Sequence, residues 1–344
     1  MKNKNIFKIN IIYFVALLSV ATVFVFGYLG FLKNDIISSF IIQIVVMFAI
    51  PLLMYSLLMK KNLKQTFQDC GIKKITSKML GITIVLGFVL YFINSFVADA
   101  FYGIISMFGY ESISSPATTS FSYGMLLKDL LLSCILPGIC EEFLHRGILL
   151  HANKKHATTR YCLIVSSILF GLTHLNIRQF FYASILGFLM GIVTLASDSI
   201  IPAIIVHFMN NFLSNYFFYG KQLNWPLAKF VAFVENFFMA DLFIFTISSI
   251  ISTILLILLY RYLVKLLFKE RLQNEVKNII KALQMEKMSI IQAQIKFNQI
   301  NELMKHKSLK EQSIKQHFTD KIFLISSIVL GSLVTISSFI WGVI

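Results

Sequence analysis

Long apolar stretches alternate with short polar segments along almost the whole chain. A helix rises about 1.5 Å per residue, and a bilayer core is about 30 Å thick, so about 20 apolar residues span it. Nine stretches approach or exceed that length, at residues 9–32, 36–58, 80–108, 124–151, 160–176, 179–197, 199–219, 236–267 and 322–344. The pattern predicts an all-α fold, a polytopic membrane bundle of about eight or nine transmembrane helices.

The first apolar stretch has some features of a signal peptide. Lysines precede it, and Ser19-Val20-Ala21 is a weak cleavage-like triplet. Its apolar run continues to Leu32, which is longer than the 7–15 residues of a signal-peptide core. We therefore interpret it as a retained membrane anchor.

Residues 268–321 are polar and basic, unlike the rest of the chain. Apolar residues recur there mostly at steps of three and four: Leu272, Val276, Ile279, Leu283, Met288, Ile291 and Ile295. This spacing predicts an amphipathic helix. We expect this segment to lie on anionic lipid or on the bundle, and we favour this over a docking surface for a partner protein.

These boundaries predict five regions. They are a two-span region with a basic loop at 1–79, a membrane core at 80–220, an additional span at 221–267, the basic amphipathic segment at 268–321 and a last span at 322–344.

Composition excludes several classes of protein. The 344 residues are 57% hydrophobic and 14% charged, with a mean hydropathy of +0.76, whereas soluble proteins have about 45–50% apolar and about 25% charged residues. The net charge of +15 is dispersed between apolar spans, which favours contact with anionic lipid and argues against nucleic acid. The four cysteines form no CxxC pair, so neither a disulfide framework nor a zinc knuckle is expected.

Lys and Arg in the short loops predict the orientation. The N-terminus, the 59–79 loop and the 152–160 loop are basic and fall on one side, whereas the 109–123 loop has no Lys or Arg. The positive-inside rule then places the N-terminus in the cytoplasm of a multi-pass plasma-membrane protein.

Ionisable residues inside three of the spans are the main functional signal, because each costs about 2.5–3.5 kcal/mol at bilayer depth. They are Glu141, Glu142, His145 and Arg146 in the fourth stretch, His174 in the fifth, and His207 with Asn211 in the seventh. Asn94, in the third stretch, is expected only to cap, pair or lie at an interface.

Helical geometry separates the two carboxylates. Glu142 and Arg146 are four residues apart and can pair, whereas Glu141 is rotated by about 100° from Glu142 and stays available. Such a carboxylate in an apolar site suits a general base. His145, four residues beyond Glu141, is expected to orient it.

The other motifs predict a shared site. Asn211 is four residues from His207, so both can hydrogen-bond one reacting oxygen. Counted from the cytoplasmic side, Glu141, His174 and His207 lie at depths of about 15, 21 and 12 Å. These depths predict one polar layer near the midplane.

The ordered motifs resemble the CPBP family of CAAX-processing and bacteriocin-processing intramembrane endopeptidases, also called the ABI family. The resemblance rests on Glu141-Glu142-x-x-x-Arg146, Phe170-x-x-x-His174 and His207-x-x-x-Asn211, and covers roughly residues 80–220. It implies that Glu141 activates water and that Glu142 with Arg146 forms a supporting ion pair. It also implies that His174, His207 and Asn211 bind the water and the oxyanion.

The resemblance leaves the metal question open, because the family is described both as glutamate-dependent and as metal-dependent. A divalent metal such as zinc would take His174, His207 and Glu141 as ligands. Metal-free chemistry is favoured, because Asn211 is an unusual zinc ligand and a natural oxyanion donor.

The resulting prediction is an endopeptidase that cleaves a membrane-associated peptide or protein near the cytoplasmic side, in peptide maturation or bacteriocin-type processing and immunity. The first alternative is a non-catalytic immunity or scaffold protein. A proton-coupled transporter is less favoured, because no internal repeat is visible.

Overall fold

The computed structural model describes residues 4–31, 34–111, 122–231, 242–285, 287–305 and 318–343, and these contain helices and connecting turns but no strand. The helices α1 to α11 are, in chain order, Lys4–Tyr28; Asp35–Phe40 continued by Ile41–Ala49 and Ile50–Met59; Leu63–Asp69; Ser77–Ser106; Tyr123–Asp129 continued by Leu130–Ile135, Leu136–Glu142 and Phe143–Ala152; Thr159–Thr173; Ile177–Ser197; Ile201–Leu223; Leu242–Gln284; Ile290–Lys305; and Phe318–Val343. The predicted all-α membrane bundle is confirmed.

Seven helices in the described residues are long and apolar enough to cross a membrane: α1, α2, α4, α5, α7, α9 and α11. Two predicted spans differ from these seven. The stretch 160–176 forms α6, an apolar helix of only 15 residues, and 199–219 forms α8, a 23-residue helix that is not among the seven. The difference in α8 has a physical reason, since it carries His207 and several asparagines.

Helix α1 packs as an integral part of the bundle. Ile9, Ile12 and Tyr13 are fully buried, and the Tyr13 hydroxyl donates to the Leu169 carbonyl of α6 at 2.7 Å. These contacts attach α1 to the rest of the bundle.

The hairpin connections define two ends of the bundle. At one end, Lys8 donates to the Leu58 carbonyl and Ser199 to the Lys73 carbonyl. Because this end carries the lysine-rich 59–79 and 152–160 segments, we call it the basic end. At the opposite end, the Ile177 amide donates to the Ser338 hydroxyl, which joins the start of α7 to α11.

Asp198 ties together three segments of the basic end. Its carboxylate accepts from Lys154 at 2.7 Å, lies 3.0 Å from His151 Nε2, and pairs with Lys73. Gly71 lies beside this cluster with a φ of +75°, and a Cβ there would come within 2.6 Å of the His151 ring. Only glycine fits both the left-handed backbone and the close approach.

The amphipathic segment differs from the single helix that its sequence predicts. Helix α9 runs unbroken for 43 residues across the predicted boundary at residue 267. Met285, Lys287 and Met288 lie in turns or bends before α10, and the two helices pack through Leu272, Ile279, Ala293 and Ile300. Most of the predicted apolar stripe therefore faces this chain itself, while Ile291 and Ile295 remain exposed.

We expect Asp198→Asn to destabilise the protein by about 1–3 kcal/mol, because it leaves the donors around Asp198 without their charged acceptor. Burial alone would raise the pKa of Asp198, but hydrogen bonds and charge from His151, Lys154 and Lys73 lower it well below the usual value. The stabilisation is therefore complete at neutral pH and is lost as the pH falls below about 4. Thermal unfolding in detergent at pH 7 and at low pH measures both effects. An equal loss of stability in the variant Lys64→Gln, at an exposed lysine of the same end, would contradict the stabilising role of Asp198.

Candidate active site

A cavity of about 1240 Å³ lies among helices α4 to α8. Four of the six predicted site residues line it: Glu141, His174, His207 and Asn211. The remaining two, Glu142 and Arg146, are fully buried. Arg146 binds Glu142, and Glu142 binds His207, which lines the cavity. The structure thus brings the three sequence motifs together.

Helix α5 is irregular on either side of the glutamate pair. Leu130–Ile135 and Phe143–Ala152 are wound as π-helix, a winding that is often found at functional sites. Pro137 has no N–H to donate to the Ser133 carbonyl one turn earlier. That carbonyl instead accepts from Asn211 Nδ2 at 2.7 Å, which joins α5 to α8.

One carboxylate oxygen of Glu142 binds both Arg146 and His207. Its Oε1 lies 2.8 Å from Arg146 Nη1 and 2.8 Å from His207 Nδ1. Because a carboxylate only accepts hydrogen bonds, Nδ1 of His207 carries a proton. This leaves His207 Nε2 as the ring nitrogen available to a substrate in the cavity.

Phe170 stands between the site's cationic and aromatic side chains. The Arg146 guanidinium lies 4.3 Å from its ring centroid, and the rings of His174 and His207 lie at 5.3 and 5.6 Å. Helix α7 approaches this group closely at Gly187, where a Cβ would lie 3.2 Å from Arg146 Nη2 and 3.1 Å from Phe170. The phenylalanine of the second motif is therefore a packing element of the site.

Glu141 has a different environment from Glu142. Its Oε1 accepts from Nε2 of Gln43 in α2 at 2.8 Å, and its side chain is only partly buried. One carboxylate oxygen is thus held in place while Oε2 is left for a water or substrate. The predicted contrast between a paired and an available carboxylate agrees with this geometry.

The expected role of His145 is wrong. Its Nδ1 lies 2.8 Å from the backbone carbonyl of Glu141, and its Nε2 lies 3.2 Å from the Thr173 hydroxyl. The ring is fully buried, near Tyr13 of α1. A side chain four residues on can reach the carbonyl of the preceding turn, and that contact turns the ring away from the carboxylate.

His174 is the C-cap of α6, directly after its last residue, Thr173. Its Nδ1 lies 2.9 Å from the Phe170 carbonyl, which can only accept, so Nδ1 donates. Nε2 is therefore the ring nitrogen left for a ligand in the cavity.

Sequence reasoning missed Gln43 and understated Asn94. Gln43 lies on the π-helical part of α2, outside the predicted core, and its only signal is a lone amide within an apolar run. Asn94 pairs as expected, donating to Asn210 at 3.1 Å, and Asn210 donates in turn to Asn211 at 3.1 Å. This amide chain connects α4 to the predicted oxyanion donor.

The donor set does not fit a metal centre of three protein ligands. Over the described part of the chain, no three His, Cys, Asp or Glu side chains group closely enough to hold a metal ion. The His174 and His207 rings each pack edge-on against Phe170, and Nδ1 of His207 is bound to Glu142. We therefore derive no step through the predicted ligand set of His174, His207 and Glu141.

The cavity extends toward the end of the bundle opposite the basic end. Its lining continues from Glu141 to Glu111, Arg178 and Lys221, and includes Ser337 of α11. His174, at the end of α6 that lies away from the basic loops, also lines the cavity. Cleavage near the cytoplasmic side depends on the orientation of the chain and stays a prediction.

Comparison with known proteins agrees with the motifs. No curated protein and no solved structure matches the chain. Residues 123–213, which run from the start of α5 into α8 and include all six predicted site residues, match the model of a family described as "Type II CAAX prenyl endopeptidase Rce1-like", and this match confirms the resemblance to the CAAX-processing intramembrane endopeptidases.

Proposed function

We propose that this protein is an intramembrane endopeptidase that hydrolyses a peptide bond with water activated by Glu141. The observation that carries the proposal is the different environment of two adjacent glutamates. Glu142 is buried on Arg146 and His207, whereas Glu141 lines the cavity with one oxygen held by Gln43. Two carboxylates in such different environments have different roles: the paired Glu142 holds the site together, and Glu141 is available as the catalytic base.

The free oxygen of Glu141 is placed to take a proton from water. The oxygen of that water then forms a bond to the carbonyl carbon of the scissile peptide, and the carbonyl π electrons move to its oxygen. As the tetrahedral intermediate collapses, the C–N bond breaks, and Glu141 returns the proton to the leaving nitrogen. His174 Nε2, across the same cavity, orients the water.

His207 and Asn211 are placed to stabilise the oxyanion. Glu142 holds the His207 ring through Nδ1, and in this mechanism Nε2–H of His207 donates to the developing negative charge. Asn211 uses one N–H on the Ser133 carbonyl, and its second N–H remains for the oxyanion. Removing one such donor typically costs about 10²–10³ in rate.

The substrate that we propose is a membrane-associated peptide or protein, processed in peptide maturation or in bacteriocin-type processing and immunity at the plasma membrane. The basic loops and the α9–α10 hairpin are proposed to contact anionic lipid with the N-terminus in the cytoplasm. A non-catalytic immunity protein remains the alternative. It predicts that the Glu141→Gln variant still protects cells.

We expect Glu141→Gln and His174→Ala each to lower the cleavage rate at least about 100-fold, because they remove the base and the water ligand. The measurement uses the purified protein in proteoliposomes with a library of fluorogenic octapeptides. Glu275→Gln is the matched control, since it breaks only a surface pair with Arg271, and its rate should stay within about twofold. Full activity of both site variants would exclude this mechanism.

We expect Gln43→Leu to lower kcat about tenfold and to leave KM nearly unchanged, because Gln43 holds Glu141 and does not line the cavity. A charge-assisted hydrogen bond of this kind contributes about 1.5–3 kcal/mol. The same octapeptide assay separates kcat from KM, and the unfolding temperature of the variant controls for misfolding. A rise in KM at constant kcat would show that Gln43 acts on substrate binding instead.

A further inference from the structure

The two ends of the bundle differ in charge. Among the described residues, segments 4–8, 59–79 and 152–160 of the basic end contain Lys4, Lys8, Lys60, Lys61, Lys64, Lys73, Lys74, Lys78, Lys154, Lys155 and Arg160, against Asp69 in these segments and Asp198 beside them. The described residues of the opposite end, 28–31, 34–35, 107–111, 122–123, 174–178 and 221–231, carry three Lys or Arg and two Asp or Glu. By the positive-inside rule the basic end faces the cytoplasm.

The cavity reaches the other end. Its lining contains Glu111, Arg178 and Lys221, which lie near the far ends of α4, α7 and α8 from the basic loops. At the basic end, Asp198 with its lysines and the backbone bond from the Ile200 amide to the Gly71 carbonyl join the segments, and the cavity lining contains no residue of 59–79, 152–160 or 198–200. Water and substrate thus have their route along the side of the cavity that carries these three residues.

The cavity wall has the chemistry of a peptide-binding surface. Amides and hydroxyls supply both donors and acceptors along its length: Asn94, Ser95, Asn176, Gln179, Ser214 and Asn215. The volume of about 1240 Å³ exceeds the roughly 300–1,000 Å³ of small-molecule sites. Charges of both signs stand at the outer part of the lining, so the chemistry favours an extended peptide backbone over a ligand of one charge.

We propose that the site takes its substrate from the extracytoplasmic side of the membrane, as an unmodified, extended peptide segment that enters past Glu111, Arg178 and Lys221. This inference rests on the proposed function for the cleavage itself, but the direction of access is independent of it. A peptide exported across the membrane or arriving from outside meets this opening. The tail of a cytoplasmic protein does not.

Cysteine labelling in intact cells tests the direction of access. The four native cysteines are buried, so the unmodified chain serves as the low-label background. Glu111→Cys and the cavity variant Ser214→Cys should react with a membrane-impermeant maleimide in intact bacteria. Lys64→Cys, exposed at the basic end, should react only after permeabilisation. The reverse pattern would overturn the proposal, whether or not the protein cleaves peptides.

Vesicles of known orientation test the substrate side. The fluorogenic octapeptide library, added outside right-side-out vesicles, should be cleaved at least tenfold faster than with inside-out vesicles. Faster cleavage in inside-out vesicles would contradict the proposed access. Absence of cleavage in both orientations would contradict the proposed peptidase function, and the labelling pattern would still decide which side the cavity faces.

Discussion

The buried carboxylate of Glu142 is the interaction on which the site depends. It binds Arg146 of its own helix and His207 of α8 through the same oxygen, and Arg146 in turn lies over Phe170 of α6. Three helices are thereby fixed relative to one another around two charges that water does not reach. Breaking such a pair by removing one partner typically costs about 3–5 kcal/mol, because the other charge stays buried and unpaired.

Because of this arrangement, the neighbouring Glu141 carboxylate is not paired with Arg146. Since Arg146 is bound to Glu142, Glu141 accepts a hydrogen bond from the neutral amide of Gln43 instead. The π-helical winding of α5 and the missing N–H of Pro137 free the Ser133 carbonyl for Asn211, which sets the opposite wall of the cavity. A base and an oxyanion donor then face one polar space within an apolar bundle.

Periodicity was enough to predict the pairing of Glu142 with Arg146 within α5, but not that His145 binds the backbone carbonyl of Glu141. The four-residue spacing of Glu142 and Arg146, and the placement of Glu141 off their face, agree with the structure because they depend only on helical geometry. Contacts between helices could not be predicted in this way. The bond from His207 to Glu142 and the bond from Gln43 to Glu141 depend on how α8 and α2 pack on α5. Likewise, α10 packs on α9, and an amphipathic stripe alone cannot distinguish this arrangement from a lipid-facing helix.

The most direct test of the role of Glu141 is a single turnover in H₂¹⁸O with enzyme in excess over a cleaved peptide. If Glu141 activates water, the new carboxyl end of the product carries ¹⁸O in the first turnover, and the Glu141 carboxylate remains unlabelled by mass spectrometry. A first-turnover product without ¹⁸O would show that the oxygen came from the protein. Glu141 would then be a nucleophile, and general-base catalysis would be contradicted.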